Sequence, residues 1–309
     1  MAVRARKSGP RGRSVSSEWL KGSLTGRVAA VIGASRGGGR GIALALGDAG
    51  ATVYVAGRTT REGPRPGDGA PGTIEETAEE VTRRGGRGIP ARVDAVVEAD
   101  VAGLFRRIAE DEGRLDVLAN ASWGGNEMYG VADRRPFWEN DPPSWRNFAA
   151  SAAAHLAAAV HAARLMAPRK AGLIVSLTEP VDETWSGKGA LFWMLWGIEH
   201  QVINRTVAAA SRDLKTAGIA IVALAPGFMR TERVLMHLKT EKEKKAFGFE
   251  DSETPEYAGR AVAALAGDPK AMRHAGKLVY AADLARAYCF TDVDGTQVGN
   301  FYRKHKIIG

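Results

Sequence analysis

Residues 26–50 read GRVAAVIGASRGGGRGIALALGDAG. Val28 to Ile32 is an unbroken apolar run without polar alternation, the pattern of a strand buried on both faces. Glycines at 33, 37, 38, 39 and 41 punctuate the turn that follows, and IALALGDAG continues as a helix. A glycine string alone is weak evidence. Between a first strand and a helix it predicts a dinucleotide cradle, because the backbone must turn sharply and approach a pyrophosphate at a helix N-terminus. Gly33, Ser35, Arg36, Gly37 and Gly39 are its candidate residues.

Outward from this turn the same alternation repeats. ATVYVAGR is a second apolar strand ending at Arg58, and the Pro/Gly-rich loop TTREGPRPGDGAPG leads to a helix opened by a capping box, Thr73 facing Glu76. GIPARVDA is a third strand, followed by the amphipathic stretch VEADVAGLFRRIAEDEG; RLDVLANAS, GLIVSLTE, IAIVALAPG and GKLVYAADLA supply the remaining strands. Buried strands separated by helices predict an α/β fold, a Rossmann-type doubly wound parallel sheet. One domain over 23–309 accounts for the pattern, with a charged, lid-like segment near 228–252.

The net charge of +8 is concentrated at the start of the chain. Arg4, Arg6, Lys7, Arg11, Arg13 and Lys21 face only Glu18, within a segment rich in small polar residues and glycine. Residues 1–22 are therefore expected to be a disordered basic leader, and nucleic acid is disfavoured as a partner. The leader has no apolar h-region. The most apolar run, FAASAAAHLAAAVHAARLMA, is interrupted by His155, His161 and Arg164, so no membrane span is expected. The single cysteine, Cys289, excludes an intramolecular disulfide and a cysteine-built metal cage, and fits a cytoplasmic location with no metal.

Cofactor choice is expected at the end of the second strand. A carboxylate there would hold both ribose hydroxyls of NAD; this chain has Arg58, with Arg36 in the glycine turn. Two guanidiniums suit a 2′-phosphate and predict NADP(H). Asp94, after the third strand, is placed either to contact the adenine or to cap a helix.

These residues resemble the short-chain dehydrogenase/reductase family over roughly residues 23 to 290. Its Thr-Gly-x-x-x-Gly-x-Gly motif stands here as Ile32-Gly33-Ala-Ser-Arg-Gly37-Gly38-Gly39, without the threonine. Its Asn-Asn-Ala-Gly stands as Asn120-Ala121-Ser122-Trp123, keeping the first asparagine, and its Pro-Gly is intact as Pro226-Gly227. Thr231 stands where the family's threonine holds the nicotinamide carboxamide. The resemblance implies a nicotinamide cofactor and oxidoreductase chemistry.

The catalytic positions depart from that pattern. The family's Tyr-x-x-x-Lys falls on Trp196-Gly-Ile-Glu-His200, or with a small insertion on Trp193; its serine falls on Thr178 or Glu179, and its relay asparagine near Ser151. In the family the tyrosine exchanges the alcohol proton while the lysine lowers its pKa. An indole N–H only donates a hydrogen bond, so that relay is unavailable. His200 and Glu179 are the candidate acid/base groups, Thr178 the candidate for orienting a substrate oxygen, and Trp196 completes the set. Trp123, Trp185, Phe192, Trp193 and Trp196 are placed to line an apolar mouth for a small apolar or aromatic substrate. The Ala-rich helix at 146–167 and the helix at 197–215 resemble the pair that builds the family's subunit interface, implying a homodimer or homotetramer. Three functions stay open: an NADPH-dependent oxidoreductase with an altered relay, a non-redox cyclase or isomerase, and a catalytically silent nucleotide-binding partner.

Overall fold

A computed structural model describes residues 21–63, 69–125, 137–139, 145–181 and 191–307, excluding the side chains of 137 and 191–193. The leader up to residue 20 and Trp185 lie outside the described residues, as do the side chains of Phe192 and Trp193. Alternation along the chain gives β1 (Val28–Ile32), α1 (Gly37–Asp48), β2 (Thr52–Gly57), α2 (Ile74–Arg83), β3 (Arg87–Arg92) and α3 (Glu98–Glu112). It continues through β4 (Val117–Asn120), α4 (Trp145–Met166), β5 (Gly172–Leu177), α5 (Leu191–Thr216) and β6 (Ile219–Ala225). Two short helices, α6 (Glu232–His237) and α7 (Glu241–Ala246), precede α8 (Pro255–Gly267), β7 (Leu278–Tyr280), α9 (Ala281–Tyr288) and α10 (Phe301–Lys304).

All strands pair in parallel, in the order β3-β2-β1-β4-β5-β6-β7. The order reverses direction between β1 and β4, which opens a crevice at the C-terminal ends of those two strands. Successive side chains leave the sheet on opposite faces, and the two hydrophobic cores follow. Ala29 and Val31 pack with residues of α1, α2 and α8, whereas Val28, Ala30 and Ile32 pack with residues of α3, α4 and α5. This two-sided burial explains why the strand sequences show no polar alternation.

Local signals set several boundaries. Thr73 and Glu76 form the reciprocal capping box at α2, with Glu76 N–H donating to Thr73 Oγ1 at 3.1 Å. Pro90 within β3 is tolerated because β3 is the sheet edge. Helix α5 begins at Leu191, earlier than the 197–215 expected, because buried packing carries the helix through Gly197. The expected lid region contains α6, α7 and a bridge between Met229 and Glu253.

Candidate functional site

The glycine turn lies at the crevice. Gly33 has φ +81, and a Cβ there would sit 2.7 Å from the Ala121 carbonyl oxygen, so neither conformation nor space admits a side chain. At Gly39 a Cβ would lie 2.2 Å from the Gly33 carbonyl oxygen, which keeps α1 tight against the turn. The turn therefore presents bare backbone at a helix N-terminus, as a pyrophosphate requires. Its anion affinity has a visible acceptor: Gly37 N–H donates to Glu232 Oε2 at 2.8 Å, and Arg40 lies 3.9 Å from the same carboxylate.

Both arginines singled out in the sequence border this pocket, and both are engaged. Arg36 donates to the Pro71 carbonyl at 2.9 Å and the Gly72 carbonyl at 2.8 Å, bridging the glycine turn to the loop before α2. Arg58 is 4.0 Å from Asp94. Asp94 also accepts from Val96 N–H at 3.2 Å, closing the turn before α3, whose N-cap is Val97. Asn120 is buried; it accepts from Ser122 N–H at 2.9 Å and donates to the Ala154 carbonyl at 3.4 Å, fixing the end of β4 against α4. Thr231 Oγ1 caps α6, and its methyl carbon lies 3.5 Å from where a Gly37 Cβ would stand. Gly37 and Thr231, distant in sequence, thus form one wall.

At the end of β5 the two candidate acid/base groups diverge. Thr178 Oγ1 and His200 Nδ1 are hydrogen-bonded at 3.1 Å in a buried setting, and the Trp196 ring meets His200 edge-on with centroids 4.8 Å apart. Burial, reinforced by nearby His155, pulls His200 down to about 3, so it stands neutral. Glu179 turns elsewhere. Tyr302 of α10 donates its hydroxyl to Glu179 Oε2, and Asn204 of α5 donates to the Glu179 backbone carbonyl at 2.9 Å. Burial, with Glu253 adding repulsion, raises the Glu179 carboxyl well above its ordinary range. Glu253 is itself completely buried beside Gly227 and pushed up to about 8 by that burial.

A second buried polar group lies between α4 and α5. Glu199, next to His200, accepts from Gly124 N–H at 3.3 Å through Oε1, and burial pushes it up to about 7. On α4, His155 Nε2 meets the Ser122 carbonyl at 3.2 Å, and burial lowers this imidazole to about 4. Ser122 Oγ and His155 Nδ1 are buried without a hydrogen-bond partner, and Ser151 Oγ lies beside the Glu199 carboxylate without a hydrogen bond of normal geometry.

With this geometry in hand, comparison with known proteins is decisive. The family model for short chain dehydrogenase matches residues 27–242. The chain belongs to the short-chain dehydrogenase family. Dehydrogenase/reductase SDR family member 1 of Mus musculus is 34% identical over 288 residues, covering 90% of this chain and 87% of that one. The Homo sapiens protein of the same name is 34% identical over 291 residues, with the same coverage. Among solved structures, a short chain dehydrogenase of Mycobacterium thermoresistibile superposes with TM-score 0.70 at 21% identity, covering 90% and 94% of the two chains. An angucycline C-6 ketoreductase with bound NADP superposes with TM-score 0.66 at 26% identity, covering 84% and 96%.

Within this short-chain dehydrogenase fold, sequence reasoning missed Glu199, Glu232, Glu253 and Tyr302. Glu199 and His200 adjoin in sequence, so a closer look at that pair would have found the first. Glu253 and Tyr302 gave no local signal, because their neighbours in the site come from other elements. Among the described residues no helix is long and apolar enough to cross a membrane.

Proposed function

We propose that this chain is an NADPH-dependent oxidoreductase with a rebuilt proton relay, acting on a small apolar or aromatic carbonyl compound. The observation that carries the reading is the Gly37 N–H holding a carboxylate at 2.8 Å in a turn that admits no side chain at Gly33. That is an anion cradle at the switch point of the sheet, where the fold binds dinucleotides. Gly33, Ser35, Gly37 and Gly39 would hold the pyrophosphate, and Arg36 and Arg58 the 2′-phosphate. Asn120, Pro226, Gly227 and Thr231 would border the nicotinamide, with Asp94 steadying Arg58. When bound, the reduced cofactor supplies hydride to a substrate carbon.

This chain's own groups would handle orientation and protons. Trp196 and His200 occupy the positions of the family's tyrosine and lysine, and neutral His200 shares a hydrogen bond with Thr178. That hydroxyl–imidazole pair orients an oxygen rather than delivering a proton from a cation. Glu179, kept protonated by burial, is the carboxylic acid at this strand end. Helices α4 and α5 would join copies into a homodimer or homotetramer.

Titration of the protein with NADPH and NADH, read by energy transfer from tryptophan to the reduced nicotinamide, tests the cofactor assignment. NADPH should bind at least about tenfold more tightly, and R58A should remove most of that preference, the loss of one charge-assisted contact to phosphate. Equal affinities would refute the arginine assignment; no binding of either would favour a non-redox reaction or a silent partner. Substrate conversion with no change in NADPH absorbance would specifically favour the cyclase or isomerase reading.

A further inference from the structure

Helix α5 carries a titratable group that the relay above does not use. Glu199 is 1% exposed, Ser151 1% and His155 2%, so all three are buried. Ser151 and His155 lie one turn apart on the inner face of α4, and the Ser151 hydroxyl is close enough to stabilise the Glu199 carboxylate. His155 in turn is close enough to His200 to disfavour its charged form. These groups form one patch beside the Thr178–His200 pair.

The hydrogen bonds that are made fix the ones that are missing. A carbonyl only accepts, so His155 Nε2 carries a proton and donates it to Ser122 O at 3.2 Å. With this imidazole neutral, Nδ1 is a bare acceptor, and it has no partner. Glu199 Oε1 accepts from Gly124 N–H, which leaves the acid proton on Oε2, also without a partner. A donor on Glu199, an acceptor on His155 and the hydroxyl of Ser122 are thus unmet on neighbouring segments, with Ser151 beside the Glu199 carboxylate and His155 tied to the Ser122 carbonyl. Leaving such groups dry is costly. The set is complementary to one small oxygen that accepts from Glu199 and, when it bears hydrogen, donates to His155: a water, or the oxygen of a substrate carbonyl or alcohol.

We propose that Glu199 is a catalytic acid of this chain, delivering its Oε2 proton to an oxygen lodged between Glu199, Ser151 and His155. The assignment rests on the oxidoreductase reading above. In the step, the O–H bond at Oε2 breaks and its electron pair stays on the carboxylate. A new O–H bond forms on the substrate oxygen, while the hydride for the carbonyl carbon would be supplied by the reduced nicotinamide when bound. Ser151 and His155 hold the oxygen, and the carboxylate regains a proton from water.

Two measurements test this on the full-length protein. The first needs no cofactor: thermal unfolding of the parent and E199Q across pH. A carboxyl ordinarily near 4.5 and raised to about 7 in the fold destabilises the protein progressively above pH 4.5. E199Q should match the parent at pH 4 and melt roughly 5 °C higher at pH 8. A difference that does not grow with pH overturns the assignment of a buried, protonated Glu199. The second is NADPH oxidation with a panel of aromatic ketones. In E199Q, kcat should fall about 100-fold with KM and the NADPH Kd little changed, and the basic limb of the parent's pH profile should disappear. E199Q as active as the parent overturns the role of Glu199 while leaving the reductase reading intact. A parent protein that binds NADPH but reduces no ketone in the panel overturns that reading instead.

Discussion

A carboxylate is ordinarily kept out of a protein interior by the cost of desolvation, yet Glu253 is completely buried, with the Gly227 backbone close enough to ease that cost. The protein meets that cost by keeping the group neutral, with burial lifting it to about 8. The consequence for stability has a definite sign. Below pH 4.5 the folded and unfolded chains both hold the proton, and Glu253 costs nothing in differential protonation. Between 4.5 and about 8 the unfolded chain releases the proton while the folded chain retains it, so stability falls as pH rises. Each unit of separation corresponds to about 1.4 kcal/mol. E253Q should therefore be as stable as the parent at pH 4 and more stable by a few kcal/mol at pH 8, read by urea unfolding at both. Because Glu253 adds repulsion at Glu179, the same substitution should also lower the Glu179 carboxyl.

At the scale of elements, the segment from Phe228 to Ser252 reaches the glycine turn. Helix α6 starts at Thr231 and places Glu232 against the Gly37 amide, the spot a pyrophosphate oxygen would occupy. Cofactor binding at this turn would then require α6 to give up this contact, with the carboxylate competing for the site. E232Q should bind NADPH several-fold more tightly than the parent, because it removes a negative charge from an anion site; an unchanged or weaker Kd by the same energy-transfer titration would refute this competition. The elements differ in how openly the sequence declared them. Strands β1, β2, β4, β5 and β6 were legible because two-sided burial leaves apolar runs, and α2 because its capping box is local. The first turns of α5 were not, since Gly197 reads as a boundary until packing is known. The glycine cradle was legible for the same local reason as the capping box: steric demands fall on residues adjacent in sequence. Tyr302 against Glu179, and Glu232 on Gly37, were not, because each contact joins segments more than a hundred residues apart that only the completed sheet brings together.

Across the whole molecule, the two faces of α5 have opposite characters. Its inner face carries Glu199 and His200, both buried, while Ile198 and Val202 are 51% and 45% exposed one turn apart. On neighbouring α4, Leu156 and Val160 are likewise exposed at the same spacing. A shallow groove lined by Ile198, Gln201, Val202, Arg205, Thr206 and Ala209 runs along this surface. Aliphatic side chains repeated at helical spacing on two adjacent helices suit isologous packing against a second copy, which would remove them from water. Val202→Glu places a charge in the middle of that surface and should convert the assembly to monomers, measured by light scattering coupled to size-exclusion chromatography. An oligomer that survives both V202E and I198E assembles through a different surface. Such an association would also bear on the site, because a partner clamped on the outer face of α5 would limit how far its inner face can move. The V202E monomer should therefore retain its helical circular dichroism while the mutual positions of Thr178, Glu199 and His200 loosen. Hydrogen exchange at the first turns of α5 should quicken in the monomer and stay at the parent's rate in α1, which faces the other side of the sheet.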